Sequence, residues 1–123
     1  MLDILIVSIG ALLGANTRFA IYNNLEKLNL NRYSYILLIN TAASFLLGFF
    51  LSLLEYFSSF IYSYKVVLFF SIGFVGSLST FSSFVYDLFE LCLKLKFFKA
   101  LKLFIISLSF GIIAFGVGFF LAN

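Results

Sequence analysis

Histidine is absent from this chain and cysteine occurs once, at Cys92. A single thiol excludes an internal disulfide, and a lone cysteine near a helix end reads as inert. With no histidine, no cluster of metal-ligating side chains and no nucleophile–base pair, an enzymatic reading has nothing to stand on. Charge is scarce too: 11% of residues are charged, where a soluble domain of this size has about a quarter. No internal repeat, linker or attached soluble domain is visible, and one compact domain over residues 1–123 is expected. The opening MLDILIV has no basic flank and carries Asp3, so it does not read as a secretory signal.

What the chain has instead is 63% hydrophobic residues. Too little polar surface remains to coat a globule in water, so the solvent is lipid. Three uncharged segments, 33–54, 66–86 and 103–123, are each long enough to cross a hydrocarbon core. The first segment differs. Only 14 residues separate Asp3 from Arg18, too few to span, so a first helix has to run on through Arg18. The expected spans are 2–22, 33–57, 66–91 and 100–122, an all-α membrane fold. Four helices make a thin bundle with little room for an enclosed path, so an oligomer is expected.

Four spans place both termini on one face together with the loop between spans two and three. Six basic residues, Lys27, Arg32, Lys94, Lys96, Lys99 and Lys102, fall in or beside the other two loops, and only Lys65 falls on the terminal side. Arg18 lies within a span and is not counted. Positive short loops stay in the cytoplasm, so both termini are expected outside it, in a multi-pass protein of the cell inner membrane. The stretch KLKFFKALKLF, 94–104, reads either as a short basic helix on the anionic leaflet or as flanking charge, with Lys102 snorkelling from span four.

Polar residues inside the lipid carry the functional signal. Asn40, Ser44 and Gly48 are spaced by four and share one helix face. An amide at that depth needs a partner or water; it serves as interhelical glue or as a donor to cargo. Gly10, Gly14 and Arg18 repeat the spacing in span one, where small residues permit tight packing and the guanidinium needs carbonyl acceptors. A structural role for Arg18 is the simpler reading, a positive vestibule potential the other. The third span holds GFVGSLSTFSSF, 73–84, with two glycines, four serines and a threonine in its middle. Gly73 and Gly76 weaken a helix, while Ser77, Ser79 and Thr80 compete for its backbone hydrogen bonds. Irregular backbone at membrane depth is tolerated where it is buried in protein or lines a hydrated cavity. A broken third helix is therefore expected, with freed carbonyls that suit a cation and a half-helix start that suits an anion. Thr80, Ser83, Phe84 and Asp87 follow helical spacing, as do Phe81 and Phe84, whose ring edges attract a small anion weakly. The same pair spacing recurs at Phe57 and Phe60 in a chain with 19 phenylalanines, so spacing alone assigns nothing.

Taken together, GANTRF at 14–19, NTAASFLLGF at 40–49 and GFVGSLSTFSSF at 73–84 resemble the Fluc fluoride channels, also called the CrcB family. The family patterns are GAxxRY, an asparagine followed by small residues, and GFCGGxTTFSTF, in the same order and four-span layout. Here Val75, Ser77, Ser79 and Phe19 stand where the family has cysteine, glycine, threonine and tyrosine. The resemblance implies an antiparallel dimer with two narrow pores that exports fluoride passively. It implies an ion path past Asn40, Phe81, Phe84 and Ser83, continued more loosely by Ser107. It also implies a structural sodium ion at the dimer centre, held by the backbone carbonyls of Gly76 and Ser79. Partners would be fluoride, lipid and a second subunit, with no nucleic acid. Rival readings are a structural subunit of a larger membrane complex or a small multidrug antiporter. The antiporter needs a carboxylate in the first span, and residues 4–17 have none. A six-to-one charge split resists insertion in both orientations, so the expected partner is a related, oppositely oriented subunit, with a homodimer as the alternative.

Overall fold

The structure is a computed structural model that describes residues 1–28, 32–56, 63–79 and 81–122. Thr80, Phe57 and Phe60 lie outside the described residues. All regular structure among the described residues is helical: α1 (Leu2–Glu26), α2 (Arg32–Tyr56), α3 (Ser63–Val66), a π-helical stretch (Val67–Val75), α4 (Gly76–Leu78), α5 (Phe81–Leu93) and α6 (Phe97–Ala122). Four segments, Leu2–Glu26, Tyr33–Glu55, Val67–Leu93 and Phe97–Ala122, are long and apolar enough to cross a membrane. Hydrocarbon offers the backbone no hydrogen-bond partners, so each segment must satisfy its own peptide groups by coiling. α1 continues unbroken through Arg18, as the short interval after Asp3 requires.

Glycines set how the spans pair. α1 packs mainly on the π-helical stretch, and α2 on α6. A Cβ added to Gly10 would run into the Phe69 carbonyl, and one on Gly14 into Ser77 Oγ and the Phe74 carbonyl. From the other side, a Cβ on Gly73 would lie 2.7 Å from the Val7 carbonyl oxygen. Contacts that advance together along both helices mean the two run parallel. The second pair is built alike: Gly48 abuts the Phe115 carbonyl, and Gly118 the Phe45 carbonyl. Without side chains at these points, two backbones approach closely enough for dispersion to hold them where water cannot drive association. A stack of Phe50 on Phe70 at 4.0 Å and Phe70 on Phe74 at 5.5 Å ties the pairs together. The small buried centre is Ala43, Val75 and Leu78.

The third segment is interrupted where its composition says it should be. Ser79 is extended, with φ −72° and ψ 154°, which ends α4 before α5 begins. Ser77 Oγ donates to the Phe74 carbonyl and Ser79 Oγ to the Gly76 carbonyl, both three residues back. The hydroxyls thus take acceptors that a regular helix would use. Ser77 lies within the helical α4, and Leu95 alone among the described non-glycine residues has a positive φ. Ser77 therefore meets no demand for a glycine-only backbone.

One open reading is decided and one burial is new. The residues 97–104 belong to α6 itself, which runs straight on to Ala122, so the basic stretch is not a separate surface helix. Lys94 to Lys96 form a tight turn instead, in which Lys96 N–H donates to the Leu91 carbonyl at 2.9 Å and Leu95 takes φ 59°. Asp87, which closes the uncharged run of the third span, is 1% exposed. α5 carries on past it to Leu93, in keeping with the expected span to 91, so the polar edge of this span is the Glu90–Lys94 pair and the Asp87 carboxylate lies inside the bundle.

Candidate ion pathway

The break starts α5 at Phe81, and from there the 3.6-residue repeat sends Phe81 and Phe84 to one side of the helix. α2 brings Asn40 and Ser44 to the same place by its spacing of four. α6 adds Phe104, Ser107, Leu108, Gly111 and Ile112, which fall at positions i, i+3, i+4, i+7 and i+8 and so share one helix face. These nine residues line a single groove of about 320 Å³. Four residues singled out from the sequence, Asn40, Phe81, Phe84 and Ser107, thus converge from three helices. Ser83, between the two rings on α5, is half-buried and is not among the lining residues.

The groove is polar only at neutral groups. One amide and two serine hydroxyls face it alongside three phenylalanine rings, and no ionisable side chain among the described residues lines it. Phe84 stacks on Phe104 at 6.4 Å with an interplanar angle of 25°. Phe81 stays 76% exposed, so the groove opens at the subunit surface beside the break. Phe104, Gly111 and Ile112 escape attention in the sequence; their register with Ser107 on α6 is the signal that would have found them.

Arg18 reaches the break from α1. Its Nη1 donates to the Ser79 carbonyl at 3.4 Å, a long bond from a half-buried guanidinium. The Gly76 carbonyl accepts from Ser79 Oγ at 3.2 Å. Gly76 is exposed and Ser79 half-buried. Among the described residues these side-chain donors give each of the two carbonyls named for a sodium ion one hydrogen bond, and a carbonyl oxygen has two lone pairs. Both are hard oxygen donors, the chemistry an alkali cation takes. Gly10 and Gly14 lie buried in the α1 seam, away from the groove.

The pattern of the CrcB-like protein family, Camphor Resistance (CrcB), matches residues 5–119. The chain belongs to the CrcB family. It is 69% identical, over all of its length and 99% of the relative's, to "Fluoride-specific ion channel FluC 2" of Prochlorococcus marinus strain NATL2A. It is 35% identical to "Fluoride-specific ion channel FluC 1" of Parasynechococcus marenigrum strain WH8102, over 95% of this chain and 90% of the relative's. To "Fluoride-specific ion channel FluC" of Ignicoccus hospitalis it is 32% identical, over 91% of this chain and 88% of that one. CrcB membership agrees with the resemblance carried by the three sequence motifs.

Proposed function

We propose that this chain is one subunit of a passive fluoride channel that lets the anion leave the cytoplasm. The observation that carries the reading is the convergence of Asn40, Phe81, Phe84 and Ser107 on one uncharged groove beside a helix break. Fluoride is small and strongly hydrated, so a path must replace its water with donors. The Asn40 amide and the Ser44 and Ser107 hydroxyls supply N–H and O–H groups, and ring edges add weak positive potential. Neutral dipoles attract the ion without trapping it as a full cation would. A lining without titratable groups among the described residues suits conduction rather than proton-coupled exchange. Fluoride enters an acid-exposed cell as its neutral acid and ionises inside, and an open anion path releases it.

The exposed ring of Phe81 and the open face at Gly76 suit completion of the wall by a second subunit, set antiparallel. A sodium ion there, held by the Gly76 and Ser79 carbonyls, would screen the facing carbonyl dipoles of two breaks. The Arg18 bond to Ser79 would help hold the extended residue in place. The six-to-one distribution of basic residues across the loops favours a single orientation with both termini outside, and hence a related subunit of opposite orientation as partner.

The test is fluoride efflux from liposomes holding the purified chain, with and without that related subunit, read by a fluoride electrode. Efflux of fluoride but not chloride from the mixed assembly is expected. Silence from correctly assembled protein in both preparations would overturn the channel reading.

A further inference from the structure

The basic cluster at the α5–α6 turn plays no part in the ion path, yet it forms a built feature of its own. A second groove, of about 190 Å³, is lined there by Tyr33 of α2, Leu91 of α5, and Lys99, Lys102, Leu103 and Ile106 of α6. The four α6 residues sit at positions i, i+3, i+4 and i+7, which is one continuous helix face. Along that face the chemistry changes once, from two ammonium groups at the start of α6 to two aliphatic side chains deeper in the span. The wall opposite is Leu91, itself buried, and the half-buried Tyr33 stands beside the lysines with its phenol as a neutral donor.

No acid among the described residues lines this groove. The nearby Lys94 is already paired with Glu90 at 3.3 Å and lies outside it. Lys99 and Lys102 make no ion pair among the described residues. Two uncompensated cations at a span's edge, with an apolar trough leading inward, match the order of parts in a phospholipid: phosphate first, then acyl chain. We propose that this groove is a binding site for an anionic phospholipid. Lys99, Lys102 and the Tyr33 hydroxyl hold the headgroup phosphate, and Leu103 and Ile106 receive the first methylenes of a tail. A free phosphate would use only half of the surface. General attraction to a charged leaflet would use Lys94 and Lys96 as much as Lys99 and Lys102, whereas the groove selects the latter pair.

The experiment uses the intact chain in neutral detergent, with phosphatidylglycerol and phosphatidylcholine titrated and bound lipid counted by native mass spectrometry. Phosphatidylglycerol should bind in preference. A lysine near the membrane surface contributes about fivefold to binding an anionic lipid, so Lys99→Gln with Lys102→Gln should weaken phosphatidylglycerol about thirtyfold. Phosphatidylcholine binding should not change, which also reports an intact fold. Lys94→Gln with Lys96→Gln should leave the preference within about threefold, because neither side chain lines the groove. Equal losses from the two double variants would overturn the site in favour of diffuse attraction. Inorganic phosphate competing as well as the lipid, or no preference in the parent chain, would overturn it as well.

Discussion

Phe81 and Phe84 stand one helical turn apart on α5 and meet different surroundings. Phe81 is mostly uncovered, whereas Phe84 stacks on Phe104. Replacing either by isoleucine removes the ring edge but keeps an apolar side chain of similar bulk. Phe81→Ile should reduce fluoride flux about tenfold, which needs only about 1.4 kcal/mol at the barrier, with no loss of assembly. Phe84→Ile should cut flux similarly and also lose about 1 kcal/mol of stability from the broken stack. Efflux assays beside size-exclusion profiles separate the two effects, and unchanged flux would take both rings out of the path. Asn40 is a sharper probe. Asn40→Asp keeps the shape and adds a charge; a carboxylate 4 Å from a passing anion opposes it by about 4 kcal/mol at an effective dielectric of 20. Flux should fall by roughly a hundredfold or more. Normal transport in that variant would assign the amide to interhelical packing instead.

At the scale of elements, the third segment and its seam with α1 decide the architecture. The Gly10 seam is set by backbone oxygens that have no rotamer to retreat to. Gly10→Ala should therefore force α1 off the π-helical stretch and lower stability by about 1–3 kcal/mol, the range for overpacking. Gly116→Ala, where an added Cβ meets nothing within 4 Å, should be neutral; thermal unfolding of the two variants in detergent checks the contrast. The break was legible beforehand because its causes are local: Ser77 and Ser79 take carbonyls three residues back, which their side chains permit wherever they sit. The π-winding of Val67–Val75 was not legible. VLFFSIGFV is an unremarkable apolar run whose residues carry no local signal for that winding. The burial of Asp87 was hidden likewise, since its place within the expected span does not say which neighbour covers it. Within the groove, Asn40 stood out because an amide at membrane depth demands an explanation. Phe104 did not, since one ring among 19 phenylalanines carries no signal until the fold places it on Phe84.

For the whole molecule, the distribution of lysines makes a statement about assembly that one subunit's contacts cannot. Lys94, Lys96, Lys99 and Lys102 gather at one turn, and with Lys27 and Arg32 they outnumber Lys65 by six to one. Under the proposed orientation, such a bias would retain those loops in the cytoplasm during insertion. An antiparallel assembly then needs a second, differently biased chain. The protein carries its own reporter of this, because the single cysteine, Cys92, is exposed two residues before the lysine cluster. In spheroplasts, a membrane-impermeant maleimide should leave Cys92 unmodified until the membrane is permeabilised. A cysteine appended after residue 123 in a Cys92→Ser background should label at once. Replacing Lys94, Lys96, Lys99 and Lys102 by glutamine leaves Lys27 and Arg32 against Lys65, a two-to-one bias, and should bring both sites to partial labelling as mixed orientations appear. If the unaltered chain already labels partially at both sites and conducts fluoride when expressed alone, it pairs with itself and the requirement for a second gene product falls.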